Sequence, residues 1–205
     1  MISWTRPPSL LKRIYPSSCW NCWLEQDVLF SFDDGPGLYT NDILNLSEKY
    51  GIKFAFFILH EQAQKYPEIV SRIVEDGHIL RSHFLKHRHH IMDTKTTFLK
   101  SLNGSVEKIE NISKNSIQYC RIPYGRLLPW QNRWINQGGY KHVFWSLDSK
   151  DYNLESKERI IHRVQDNIQL GDIVLFHDGE DSHPNIVQIV DECLKILNSN
   201  HYFQS

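Results

Sequence analysis

The 205 residues carry 23 Lys and Arg against 24 Asp and Glu, a formal net charge of −1 with the two signs interspersed along the chain. That balance excludes the electrostatic footprint of a nucleic-acid-binding protein and a polybasic membrane patch, and the length suits one domain with a substantial core. Apolar runs such as FAFFIL at 54–59 and DIVLF at 172–176 fall far short of the roughly 18 residues that a membrane span requires, so no transmembrane segment is expected.

Residues 1–27, with Pro7, Pro8 and Pro16, precede the first strand-like run. They are expected to wrap the outside of a domain over 28–205, and Trp4, Leu10, Leu11, Ile14 and Tyr15 offer a secondary reading as a membrane-surface contact. The segment has positive residues but no continuous apolar stretch and no small-residue cleavage site, so it does not read as a secretory signal. Cys19, Cys22, Cys120 and Cys193 do not make a disulfide framework. The C-x-x-C of Cys19 and Cys22 lacks the second ligand pair of a structural zinc site, and coincidence outweighs a redox role. A reduced, cytoplasmic chain is the expectation.

Strand-like runs then alternate with helical patterns. VLFSF at 28–32 is followed by a helix capped by Thr40 and running to Tyr50, with Gly51 just past its end. A strand at 54–59 precedes a helix opened by Pro67, whose Ile69, Val70, Ile73 and Val74 share one face before Gly77. Next come a strand at 78–82, a helix at 94–113, strands at 117–122 and 142–147, a helix at 155–169 and a strand at 172–177. A helix from Pro184 to Asn198 repeats Ile186, Ile189, Val190, Cys193, Leu194 and Leu197 at i, i+3, i+4 spacing, and a last strand is expected at 201–204. The alternation predicts an α/β fold with a parallel sheet, and its six or seven units suit an incomplete or distorted (β/α) barrel.

In such a fold all strand C-termini open onto one face. Five strand endings carry polar groups: Asp33 and Asp34, His83 and His87, Arg121, Asp148 and Asp151, and His177, spread over about 145 residues. Each has a bland reading. Asp-Asp-Gly-Pro is a common turn, although a turn also frees both carboxylates from strand alternation, one for a metal and one as a base. His83 and His87 lie in a His-rich stretch with His89 and His90, where solvated histidines are ordinary. Their i, i+4 spacing nevertheless puts two imidazoles on one face of a helical turn. With Asp34 they make the His, His, carboxylate set of a catalytic zinc site, with one position open for water. Arg121 reads either as a surface arginine or as a bidentate holder of a carboxylate. His177 ends the most apolar strand, with Asp178 facing the other way, and reads equally as a satisfied core histidine.

Joint occurrence at successive strand ends is what the separate bland readings leave unexplained. The set resembles the polysaccharide deacetylases of carbohydrate esterase family 4, the NodB-homology domain, over about residues 27–200. The resemblance rests on FDDG, on G-H-I-L-R-S-H-F-L-K-H from Gly77 to His87, on R-I-P-Y-G from Arg121, on D-S-K-D-Y from Asp148 and on L-F-H from Leu175. It implies Asp33 as catalytic base and Asp34, His83 and His87 as metal ligands. It further implies Arg121 orienting the base, the Tyr124 peptide N–H helping to hold the oxyanion, and Asp151 tuning His177 as general acid. Leu175 would line the acetyl pocket and Tyr152 would stand where the family has Trp. Phe84 in place of Ser or Thr, Ile122 in place of Pro and Arg81 in place of Gly depart from the family pattern. The implied activity is metal-dependent removal of N-acetyl groups from an N-acetylglucosamine-type polysaccharide or oligosaccharide, with zinc, or else cobalt or nickel. An acetyl-ester or cyclic-amide hydrolase and a catalytically silent carbohydrate-binding module are the alternatives.

Overall fold

The computed structural model describes residues 4–21 and 28–199. A short helix α1 (Ser9–Ile14) precedes β1 (Leu29–Asp33), α2 (Thr40–Tyr50), β2 (Ala55–Ile58), α3 (His60–Lys65), α4 (Pro67–Glu75) and β3 (Ile79–Ser82). Then follow α5 (Lys95–Ser113), β4 (Tyr119–Cys120), α6 (Pro129–Gln137), β5 (Lys141–His142), β6 (Leu147–Asp148), α7 (Lys157–Asn167), β7 (Ile173–His177) and α8 (Ile186–Ser199), with 3-10 turns at Pro123–Gly125 and Asp151–Asn153. None of the described helices is long and apolar enough to cross a membrane.

The strands form one seven-stranded parallel sheet in the order β5-β4-β3-β2-β1-β7-β6. Its two edge strands are consecutive in the chain, so residues 143–146 pass from one edge to the other and the sheet curls into an incomplete barrel. The single strand expected at 142–147 is therefore two strands. The run stays rich in apolar residues but changes partners midway: Val143 N–H donates to Cys120 O at 2.9 Å, and Ser146 N–H to Ile173 O at 3.0 Å. Residues of the N-terminal segment complete this seam, Phe144 N–H donating to Cys19 O and Asp148 N–H to Thr5 O, each at 2.8 Å. The strand expected at 201–204 and Cys22 lie outside the described residues; Cys19 is buried.

Strand alternation builds two cores. Phe30, Phe32, Phe56, Val174 and Phe176 face the helix layer, while Leu29, Ala55, Phe57, Val143 and Ile173 with Cys19 pack separately inside the curl. Both faces being covered, the strands read as continuous apolar runs. On the helices, Pro67 opens α4, where its fixed φ suits the first turn and its missing N–H is not needed. The six residues of the predicted α8 stripe are all buried.

Thr40 begins α2 but is not its side-chain cap. Its hydroxyl instead accepts from Gly37 N–H at 2.8 Å and donates to Asp178 Oδ2 at 2.6 Å. Helices α1, α3 and α6 had no apolar period to betray them. In α6 the buried face includes Gln131 and Asn132, and Gln131 Nε2 donates to His90 O at 2.6 Å.

Candidate active site

β1 sends Ser31 and Asp33 into the curl, and the next residue, Asp34, takes a left-handed φ of 72°. That turn is crowded underneath. A Cβ on Gly35 would lie 2.3 Å from Asp178 Oδ1, so the glycine is required by close approach. Burial pushes the Asp178 carboxyl up to about 7; the Thr40 hydrogen bond opposes the rise and the charges of Asp34 and Asp33 add to it.

Asp34 Oδ1 lies 3.3 Å from His83 Nε2 and 3.4 Å from His87 Nε2. A tetrahedral ion bound at roughly 2.0–2.2 Å from such donors sets them about 3.3–3.5 Å apart, so the three residues fit a metal ion. Asp34 Oδ1 is moreover buried without a hydrogen-bond partner, the situation a cation relieves. Burial pushes the Asp34 carboxyl up, but the neighbouring imidazoles of His83, His177 and His87, His83 foremost, hold it well below the carboxylate range. Burial lowers His87, with Asp34 opposing, which favours the neutral imidazole a metal needs.

The two histidines are not on a helical turn, as the i, i+4 spacing suggested; residues 83–90 form a loop. Its shape comes from Phe84, which adopts a φ of 71°. The Phe84 ring is fully buried, with centroids 4.6 Å from His90 and 5.3 Å from Phe98, and its N–H donates to Ser82 Oγ at 3.2 Å. His90 Nδ1 lies 2.7 Å from Asp93 Oδ2, and Arg88 grips the same carboxylate at 2.8 and 2.9 Å. An aromatic plug with a His–Asp–Arg clasp thus shapes the loop.

Arg121 is not a surface residue; it is fully buried inside the curl. Its Nη1 donates to Asp33 Oδ1 at 2.7 Å and to Ser31 Oγ at 3.0 Å, Nε to Val143 O at 3.3 Å and Nη2 to Phe144 O at 3.5 Å. One nitrogen rather than the expected fork holds Asp33, because the other donors are spent on the carbonyls of the seam. The guanidinium sits over the Phe57 ring, 3.8 Å from its centroid. Beyond it, Tyr124 has a φ of 62° and its half-exposed ring packs against His87 at 4.2 Å and His89 at 4.0 Å.

The register of β7 on β1 pairs Ser31 with Leu175 and Asp33 with His177, so Leu175 and His177 point into the same space as Asp33. Leu175 is buried. His177 Nδ1 lies 2.9 Å from Asp151 Oδ1, and its N–H donates to Asp151 Oδ2 at 2.8 Å, so both oxygens of this fully buried carboxylate serve one histidine. Burial works against a charge on His177, but the charge and hydrogen bond of Asp151, then Asp34 and Asp33, raise it to about 10. Asp148 accepts from Lys150 N–H at 2.9 Å and from the Tyr152 hydroxyl at 3.0 Å, and the Tyr152 ring stands edge-on to His177 with centroids 5.4 Å apart.

Every predicted site residue therefore lies in one constellation. Ser31, Phe57, Thr40 and Asp178 were not anticipated. Ser31 had a signal, being two residues before Asp33 and so on the same strand face; Thr40 and Asp178 join only through the fold.

A curled parallel barrel with a carboxylate and two imidazoles arranged for a cation, an arginine-held aspartate and an aspartate-held histidine defines a hydrolase-type site of the α/β class. Residues 22–143 match the polysaccharide deacetylase family, and the chain belongs to that family. It is 30% identical over 158 residues to a peptidoglycan-N-acetylglucosamine deacetylase of Bacillus cereus, covering 77% of this chain and 58% of that protein, less than two thirds of its length. It is 27% identical over 158 residues to a chitooligosaccharide deacetylase of Azorhizobium caulinodans, covering 76% of this chain and 75% of that protein. The crystal structure of a peptidoglycan N-acetylglucosamine deacetylase superposes with a TM-score of 0.86 at 26% identity, covering 95% of this chain and 92% of that one.

Proposed function

We propose that the protein hydrolyses the N-acetyl amide of N-acetylglucosamine units in a glycan, releasing acetate and a free amino sugar. The observation that carries the amide reading is the His177–Asp151 pair. An amine is a poor leaving group until it is protonated, and the buried Asp151 carboxylate, 2.9 Å from His177 Nδ1 and aligned by the His177 peptide N–H, favours the protonated imidazole that can supply that proton. The names of the relatives support the sugar.

In this reading Asp33, oriented by Arg121 at 2.7 Å, takes the proton of the attacking water as the C–O bond forms. His177 gives its proton to the nitrogen as the C–N bond breaks. The Tyr124 peptide N–H, aimed by its left-handed backbone, helps hold the oxyanion, a contribution of roughly 3–4 kcal/mol for one such donor. Leu175 lines the acetyl pocket and Tyr152 walls it beside His177. Asp34, His83 and His87 would hold a divalent ion, zinc by the donor set with cobalt or nickel as substitutes, which supplies Lewis acidity towards water and the carbonyl.

The test is acetate release from N-acetylglucosamine oligomers by metal-stripped protein before and after zinc or cobalt is restored, with p-nitrophenyl acetate and acetyl-xylan run in parallel. Metal-dependent release from the oligomers is expected. Asp33→Asn is expected to keep the metal and lose turnover, and His83→Ala to lose the metal; full activity in either variant, or turnover of esters alone, overturns the proposal.

A further inference from the structure

Among the described residues β6 has one strand neighbour, β7, and its other side is met by the N-terminal segment. The Thr5 carbonyl accepts from Asp148 N–H at 2.8 Å. The next residue is clamped. Arg6 Nη1 and Nη2 grip the two oxygens of Asp172 at 2.7 and 2.8 Å, and also reach Asn167 O at 2.7 Å and Gln169 Oε1 at 3.2 Å. Asp172, immediately before β7, is buried and further accepts from Ser146 Oγ at 2.7 Å and Gln169 N–H at 2.8 Å. Ser146, immediately before β6, accepts from Ile173 N–H at 3.0 Å. One guanidinium thus fixes the starting ends of both β6 and β7.

The finishing ends of those same strands carry the acid pair. Asp151 follows β6 and His177 ends β7, and their 2.9 Å contact spans the two. We propose that Thr5 and Arg6 form a positioning strap for the leaving-group acid: by fixing β6 against β7, they hold Asp151 to His177 from the opposite end of the strands. The proposal rests on the reading of His177 as general acid. Arg6 touches no reacting atom, so its role is positioning. Without it, Asp172 keeps only two neutral donors for a buried carboxylate, and the pair Ser146–Ile173 is where that strain is released.

The experiment compares the zinc-loaded full chain with Arg6→Ala and Arg6→Lys on two substrates, an N-acetylglucosamine oligomer and p-nitrophenyl acetate, whose phenolate leaves without needing a proton. A misplaced acid costs the amide alone. Arg6→Ala is expected to lower kcat on the oligomer by about tenfold or more, with KM and the ester rate little changed. Arg6→Lys, which keeps the charge but not the fork, is expected to recover part of the loss and serves if Arg6→Ala folds poorly. Equal losses on amide and ester, or none on either, would overturn the strap. Amide hydrogen exchange gives a readout independent of turnover. The Asp148 and His177 N–H groups should exchange faster in Arg6→Ala while those of Phe56 and Ile58 in β2 do not; unchanged exchange at His177 also overturns the proposal. A wild type inactive on the oligomer would instead count against the deacetylase reading and leave the exchange test standing.

Discussion

Arg121→Met keeps an apolar stem inside the curl and removes its cation. Asp33, 3% exposed, then loses the 2.7 Å bond that neutralises it, and the carbonyls of Val143 and Phe144 lose donors in the same step. Breaking one side of a buried ion pair costs about 3–5 kcal/mol. At about 2–4 °C per kcal/mol for a chain of this size, the melting temperature falls by about 6–20 °C. The carboxylate left without its arginine dominates the loss, because Ser31 keeps its own bond to Val174 O at 2.8 Å. Adding Asp33→Asn should therefore give back a large part of the loss, and a double-mutant cycle reads that coupling. Turnover stays absent in both single variants and in the double. Thermal melts by circular dichroism, with acetate release alongside, provide the measurement. A melting temperature for Arg121→Met within about 2 °C of wild type, or strictly additive losses in the double variant, would show that Arg121 does not stabilise the fold by pairing with Asp33.

Asp151→Asn tests the acid. His177 stands at about 10, above its ordinary 6.5, so the pair's contribution to stability is complete below about pH 6.5 and is lost as pH rises through about 10. The variant should flatten that slope in melts of the metal-free protein and bring the upper pH limit of amide turnover down towards neutrality or below; an unmoved upper limit contradicts the assignment. Phe84→Ala empties a fully buried aromatic site and should cost roughly 3–5 kcal/mol. Because the Phe84 ring shapes the loop between His83 and His87, zinc affinity measured by chelator competition should weaken with it, and stability lost at unchanged affinity would show that the plug does not shape the metal site.

How far the sequence could be read depended on whether a group acts along its own segment or across the fold. The strand runs and the polar groups that end them are local signals, and each predicted site residue reached the constellation. The 142–147 run misled because periodicity records extended backbone and not its partner, and this stretch pairs with β4 at one end and β7 at the other. His83 and His87 converge as expected but by a different route: a left-handed Phe84 bends the loop, where the spacing alone suggested a helix. Arg121 was legible as a carboxylate holder and illegible as a buried plug, since its depth follows from the seam carbonyls of Val143 and Phe144, which no local pattern places beside it. Thr40 looked like a helix cap because Thr favours that position; its hydroxyl is instead committed to Asp178, 138 residues away.

Two carboxylates one peptide bond apart need a backbone reason to share a site. Had Asp34 continued β1 in extended form, alternation would have sent its side chain to the outer face with Phe32, into the aromatic layer that includes Phe56 and Phe176. The φ of 72° at Asp34 turns it back beside Asp33. That conformation costs a non-glycine residue about 1–2 kcal/mol, and the surroundings over-determine it. A Cβ on Gly179 would lie 2.8 Å from Asp34 Cβ, Asp178 N–H donates to Asp33 O at 3.1 Å, and Thr40 ties Gly37 to the Asp178 carboxylate. The same turn divides the labour. Asp33 faces an arginine and Asp34 faces two imidazoles, so under the proposed function one carboxylate would serve proton transfer and the other a cation, although the two residues are chemically identical.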